Sequence, residues 1–153
     1  VILSPDHFLY DADGRYAWSP ERVTSAWRLT VSKTREALAD PRVRKLVLLV
    51  GLPGAGKTTW LAGHHDRDVL YVDATFVRRG DRTSFVSLAR EAGKPCGAVL
   101  FTTPFDLCAS RNSLRPPDRS VPPEKMEEMQ ARLTETPPNF SEGFSEVTLV
   151  SGT

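Results

Sequence analysis

The sequence predicts an α/β domain, a three-layer sandwich around a mostly parallel five-stranded sheet, with a helical lid towards the C-terminus. Three observations carry this reading. Short apolar runs alternate with stretches of helical spacing, the pattern of strands joined by crossover helices. A glycine-rich segment, Gly51–Thr58, lies between an apolar run and a helix-compatible stretch. The chain has 153 residues, 40% hydrophobic and 25% charged, enough to bury the core of one domain, residues 1–153, with little left for a second.

Each element has a local reason. Val1–Leu3 is the first candidate strand. Asp11-Ala12-Asp13-Gly14 reads as a turn; it also fits a DxxG pattern, but no NKxD follows it. Ser19-Pro20-Glu21 supplies an N-cap and a proline at the first helical position. Val23, Ala26, Trp27 and Thr30 continue at helical spacing as far as Ala37-Leu38, where Asp40-Pro41 stops the helix. Leu46–Val50 is the second strand and Thr59–Ala62 opens the next helix. Val69–Val72 is the third strand. A helix from Thr83 to Ala92 ends at Gly93 and Pro95, and Ala98–Phe101 is the fourth strand. Asp106–Asn112 suggests another helix. Arg115–Ser120 is rich in breakers and charge and is expected to be a mobile loop. Pro122-Pro123 opens the last helix, with Met126, Met129 and Leu133 on one face, and Val147–Val150 is the fifth strand.

Bulk properties narrow the function. The net charge is +1, so any attraction to nucleic acid must come from a local basic cluster. No apolar run approaches the ~20 residues that span a bilayer, and no basic-then-apolar leader is present. Cys96 and Cys108 stand outside any CxxC or CxxH pattern and read as reduced, buried thiols, which suits a cytoplasmic location. His7, His64 and His65 form no metal pattern. Trp18, Trp27 and Trp60 can stack bases, but core packing or partial burial is the simpler account of each.

Gly51-Leu52-Pro53-Gly54-Ala55-Gly56-Lys57-Thr58 is a complete GxxxxGK[ST], with the flanking strand and helix that the motif requires. Its glycines let the backbone curl until successive N–H groups face the β- and γ-phosphates. The helix that follows adds unpaired N–H groups and a positive dipole end. Lys57 can bridge the β- and γ-phosphates, and Thr58 offers a hydroxyl to Mg²⁺. Gly51, Pro53, Gly54, Ala55, Gly56, Lys57, Thr58 and Thr59 are therefore the expected ATP contacts, and Thr58 the expected metal ligand.

The motif says nucleotide but leaves the reaction open. A phosphotransferase also needs a carboxylate beside the incoming hydroxyl, and in open α/β sheets such groups follow the carboxyl ends of strands. Asp6 follows the first strand and Asp73 the third; either can instead be a cap or a turn former. Arg111 and Arg115 are four apart, on one face of a helix, and can close over a triphosphate or form a solvated basic face.

These residues together resemble the P-loop polynucleotide 5′-kinases. Gly51–Thr59 with Trp60 is similar to that family's GxPGxGKSTW. Val72-Asp73-Ala74-Thr75, Arg82 and Phe85–Gly93 resemble its DxT strand and the helix after it. Arg111-Asn112-Ser113-Leu114-Arg115 with Val121-Pro122 and Met126 resembles its RNxxR…VP…M lid, about residues 111–135 here. Ser4-Pro5-Asp6-His7-Phe8 with Asp13–Tyr16 and Pro20–Ala26 resembles a segment of related predicted kinases. The resemblance implies an ATP- and Mg²⁺-dependent kinase acting on 5′-OH ends of DNA or RNA. It makes Asp6 the general base, Arg111 and Arg115 phosphate ligands, and Lys57 and Arg115 catalytic. Asp73, on the first strand after the phosphate loop, where the family base normally lies, is the alternative base; with Asp6 as base it would position the acceptor hydroxyl or the water shell of the metal.

Two departures from the family stand out. The base-bearing segment precedes the phosphate loop instead of following it. Leu9 stands three residues past Asp6, where the family often has a substrate-gripping arginine; Arg15, Arg78, Arg79 and Arg82 are the candidate substitutes. The other readings are a small-molecule P-loop kinase and a nucleotide-binding module without catalysis.

Overall fold

The computed structural model describes residues 1–151. Five strands, β1 (Ile2–Leu3), β2 (Lys45–Val50), β3 (Val69–Asp73), β4 (Cys96–Phe101) and β5 (Glu146–Val150), form one sheet in the order β1-β3-β2-β4-β5. Every pairing is parallel, so the expected "mostly parallel" sheet is wholly so among the described residues. The central strands are buried on both faces, which is why they read as continuous apolar runs rather than alternating ones.

Alternation along the strands divides the core. Leu46, Leu48 and Val50 face one side with Leu70 and Val72, and pack with Leu38 of α1 (Pro20–Leu38) and Phe85, Val86 and Ala89 of α3 (Arg79–Glu91). Val47, Leu49, Val69 and Tyr71 face the other. There they meet Leu61 of α2 (Lys57–His64), Cys108 of α4 (Phe105–Ser113) and Met126 of α5 (Pro123–Glu135). Helices on both faces of the sheet complete the three layers.

Local signals act as expected at several ends. Ser19 Oγ accepts from Arg22 N at 3.1 Å and caps α1, with Pro20 in the first turn. Asp11 Oδ1 accepts from Asp13 N and Arg15 N, Gly14 has φ +77°, and Tyr10 pairs with Tyr16 across the resulting small hairpin. Three expectations need correction. Helix α3 starts at Arg79, four residues before Thr83; its first turn is polar and contains Gly80, so the apolar spacing does not mark it. Trp18 is exposed rather than packed. The Arg115–Ser120 loop, expected to be mobile, is held at its flanks and through Arg119. Asn112 Nδ2 donates to Val121 O at 2.7 Å, Val121 N donates to Asn112 Oδ1 at 3.0 Å, and Arg119 lies over the rings of Tyr10 and Tyr16.

Both cysteines are buried free thiols, as expected, and burial pushes the Cys96 thiol up to about 12. No helix among the described residues is long and apolar enough to cross a membrane.

Candidate active site

The strand order brings the carboxyl ends of β1, β3 and β2 side by side. Leu3 is in register with Val72, and Asp73 with Leu49, so the residues following β1, β3 and β2 open onto one edge. From β2 the chain returns to β3 on one side, and the following crossover reaches β4 on the other. That reversal makes a crevice at the carboxyl end of β2. A cleft of about 710 Å³ lies there, lined by the phosphate loop, Asp6, Asp73, Arg111 and Arg115. Asp6 and Asp73 reach the same cleft because β1 lies against β3.

The phosphate loop has the backbone its sequence requires. Gly54 and Gly56 have φ +82° and +96°, a region where a Cβ is costly. Gly56 is the N-cap of α2 and leaves the first amides of that helix without a side-chain cap. Lys57 Nζ lies back across the loop, donating to Gly51 O at 2.8 Å and Leu52 O at 2.9 Å. Two supports come from elsewhere. Arg111 Nη1 donates to Gly54 O at 3.1 Å, and buried Thr103 Oγ1 donates to Ala55 O at 2.7 Å. Sequence reasoning missed Thr103, whose only signal was a hydroxyl just past β4.

Gly54 is the tightest point. A Cβ there would meet Cys108 O at 2.6 Å, so α4 and the loop can approach only because glycine stands between them. Gly54→Ala is therefore expected to weaken ATP binding at least about tenfold, since a non-glycine residue in the left-handed region costs about 1–2 kcal/mol even without the clash. Titration calorimetry with Mg·ATP measures this; unchanged affinity would count against the loop geometry.

Charge in the cleft is tightly coupled. Burial holds the Lys57 ammonium down to about 8, opposed mainly by the Asp73 carboxylate. Burial raises the Asp73 carboxyl, with Lys57 and a hydrogen bond from Thr58 opposing. A triphosphate favours charged Lys57, so binding raises the pKa of that ammonium. The protonated form is present below about pH 8 and is lost above it. ATP affinity should thus be level below pH 8 and fall up to about tenfold per pH unit above it. Affinity level to pH 10 would mean that the Lys57 charge does not contribute.

Thr58 Oγ1 donates to Asp73 Oδ2 at 3.3 Å. A hydroxyl and a carboxylate side by side are hard oxygen donors that suit Mg²⁺ alongside nucleotide phosphates. Among the described residues no cluster of three or more His, Cys, Asp or Glu is placed to hold a metal. Asp6 lies on a single 3₁₀ turn, Pro5–Phe8, capped by the buried Ser4, whose Oγ accepts from Asp6 N at 3.3 Å. Its carboxylate is exposed and lies near enough to raise the Asp73 carboxyl.

The arginines divide. Arg111 is in α4, but α4 ends at Ser113, so Arg115 lies beyond the helix on a tightened turn, Arg115 N donating to Asn112 O at 3.1 Å. Both still line the cleft. The candidate replacements for the missing arginine do not. Arg82 is fully buried in an ion pair with Glu142, Arg79 reaches towards Ser141 O, Arg78 pairs with Glu128, and Arg15 belongs to the hairpin. Leu9 is only 4% exposed and belongs to the core.

A family model described as an AAA domain matches residues 65–136. That is just under half of the chain, from the loop before β3 to the end of α5, and the phosphate loop precedes it. Among solved structures, the native AvrRxo1-ORF1:-ORF2 complex aligns over 76% of this chain at 14% identity, with a TM-score of 0.50. The AvrRxo1-ORF1:AvrRxo1-ORF2 complex with sulphate ions aligns over the same share at 14% identity, with a TM-score of 0.49. This chain spans 57% of the matched chain in each. At such identity the first likeness speaks for the fold alone. With the phosphate loop and the wholly parallel sheet, the chain has an α/β fold of the P-loop NTPase-like type.

Proposed function

We propose that this chain transfers the γ-phosphoryl group of ATP to a hydroxyl group of a small molecule. The observation that carries the proposal is the convergence of Asp6, Asp73, Lys57, Arg111 and Arg115 on the cleft at the phosphate loop. A passive nucleotide binder has no use for an exposed carboxylate across from the phosphate loop.

Position supports a role for each of these residues. The loop amides and Lys57 hold the triphosphate, and Arg111 and Arg115 offset charge on the transferring group. Thr58 and Asp73 would hold Mg²⁺, which when bound neutralises phosphate charge. Asp6 orients the acceptor hydroxyl and takes its proton as the new O–P bond forms. The bond between γ-phosphorus and the β–γ bridging oxygen breaks, and ADP leaves. Asp73 is already engaged with Thr58, which favours Asp6 as the base.

A polynucleotide 5′ end is the second reading, supported by the GxPGxGK and RNxxR resemblances. A nucleic-acid strand brings several phosphates that need a cationic track. The cations lining this cleft are Lys57, Arg111 and Arg115, which the nucleotide's own phosphates would engage, and Leu9 is buried. These features favour a compact acceptor. Incubation with γ-labelled ATP, Mg²⁺ and either a metabolite pool or a 5′-OH oligonucleotide decides between them. Label is expected in metabolites; label in the oligonucleotide alone would reverse the assignment, and ATP binding with no labelled acceptor would end both.

A further inference from the structure

A second depression, of about 200 Å³, adjoins the cleft between α1, the β3–α3 connection and α5. Trp27 and Thr75 line both, so the two share a rim. That rim is firm, because the Trp27 ring packs edge-on against Phe76 and Phe85, with centroids 5.5 and 6.0 Å away. Across it the depression is lined by Arg78 and Lys125 with Asp81 and Glu128, while Arg132 pairs with Glu135 at 3.3 Å.

Two of these cations, from different elements, converge on one oxygen. Arg78 Nη2 lies 3.2 Å and Lys125 Nζ 3.6 Å from Glu128 Oε1. All three side chains are roughly half exposed, and exposed pairs of this kind contribute little. Glu128 therefore occupies an anion position from which a better anion displaces it at small cost. A phosphate monoester offers three oxygens and up to two charges, where Glu128 offers a single charge and meets both cations through one oxygen.

We infer that this depression binds a phosphate monoester carried by the acceptor, so that the substrate is a phosphorylated hydroxyl compound lying across the Trp27–Thr75 rim. The inference rests on the kinase reading above. The site has room for one anionic group and provides no continuous track.

The test uses the full chain, ¹⁵N-labelled, titrated with ribose or ribose 5-phosphate and separately with Mg·ATP. Ribose 5-phosphate is expected to shift the Trp27 indole and Arg78 Nε resonances and ribose is not. The double variant Arg78→Ala/Lys125→Ala should weaken this binding at least tenfold. Glu128→Gln, which removes the competing carboxylate, should tighten it severalfold, an outcome that a merely structural Glu128 would not produce. Equal responses to both sugars, or weaker binding in Glu128→Gln, would overturn the inference. If Mg·ATP still shifts the Gly51–Thr58 amides, the kinase reading survives that failure; if it does not, both fall.

Discussion

Asp6→Asn is expected to lower the rate of phosphoryl transfer by about 10²–10⁴ at saturating ATP and Mg²⁺, the usual contribution of a positioned general base. Asparagine keeps the size and polarity of the side chain on the Pro5–Phe8 turn but cannot accept the proton. Asp73→Asn should act differently. Its carboxylate is engaged by Thr58 Oγ1 at 3.3 Å, so the loss should appear chiefly as a higher Mg²⁺ requirement, partly recovered at high Mg²⁺. Steady-state rates across a Mg²⁺ series separate the two. If Asp73→Asn abolishes turnover at every Mg²⁺ concentration while Asp6→Asn has little effect, the roles are reversed.

Glu142→Ala is expected to destabilise the fold by about 3–5 kcal/mol, the cost of leaving a buried charge without its partner. Arg82 is 0% exposed and the Glu142 side chain 3%. Their contact is two-pronged, with Nε to Oε1 at 2.8 Å and Nη2 to Oε2 at 3.0 Å. The same guanidinium donates to Phe76 O at 2.8 Å and Thr136 O at 2.7 Å. It thereby pins Phe76, whose φ of +49° lies in the left-handed region, and ties the β3–α3 connection to the end of α5. Glu142 Oε2 also accepts from Asn139 N at 3.0 Å, completing a capping box. Urea unfolding of the variant measures the loss; a change below about 1 kcal/mol would mean that the guanidinium finds another partner or reaches water.

This ion pair also shows what the sequence conceals. Arg79-Gly80-Asp81-Arg82 looks like a polar loop, and the pattern therefore places the start of α3 too late. Hydropathy cannot register an arginine that is buried because a glutamate sixty residues later in the chain compensates its charge. By sequence Arg82 resembles part of a kinase segment and is a candidate for substrate contact; in the fold it is internal. Thr103 escaped notice for a similar reason, since its partner Ala55 is distant in sequence.

What could be read from the chain was local or strongly periodic. Leu46–Val50 is continuously apolar because β2 is covered on both faces. The Ser19-Pro20 cap, the Asp11–Gly14 turn and the phosphate loop each depend on a few adjacent residues with definite backbone demands. The two strand-end aspartates were visible as well. Which side chains they meet depends on the sheet order, which places β1 beyond β3 and brings Thr58 to Asp73. No periodicity encodes that order.

The most direct measurement is a crystal structure with Mg²⁺ and a non-hydrolysable ATP analogue. The triphosphate is expected to be wrapped by the Gly51–Thr58 amides, with Lys57 Nζ drawn off the Gly51 and Leu52 carbonyls towards it and Asp6 facing the γ-phosphorus with space for one hydroxyl between them. A triphosphate bound outside that loop, or one whose γ-phosphorus points away from both Asp6 and Asp73, would contradict this expectation.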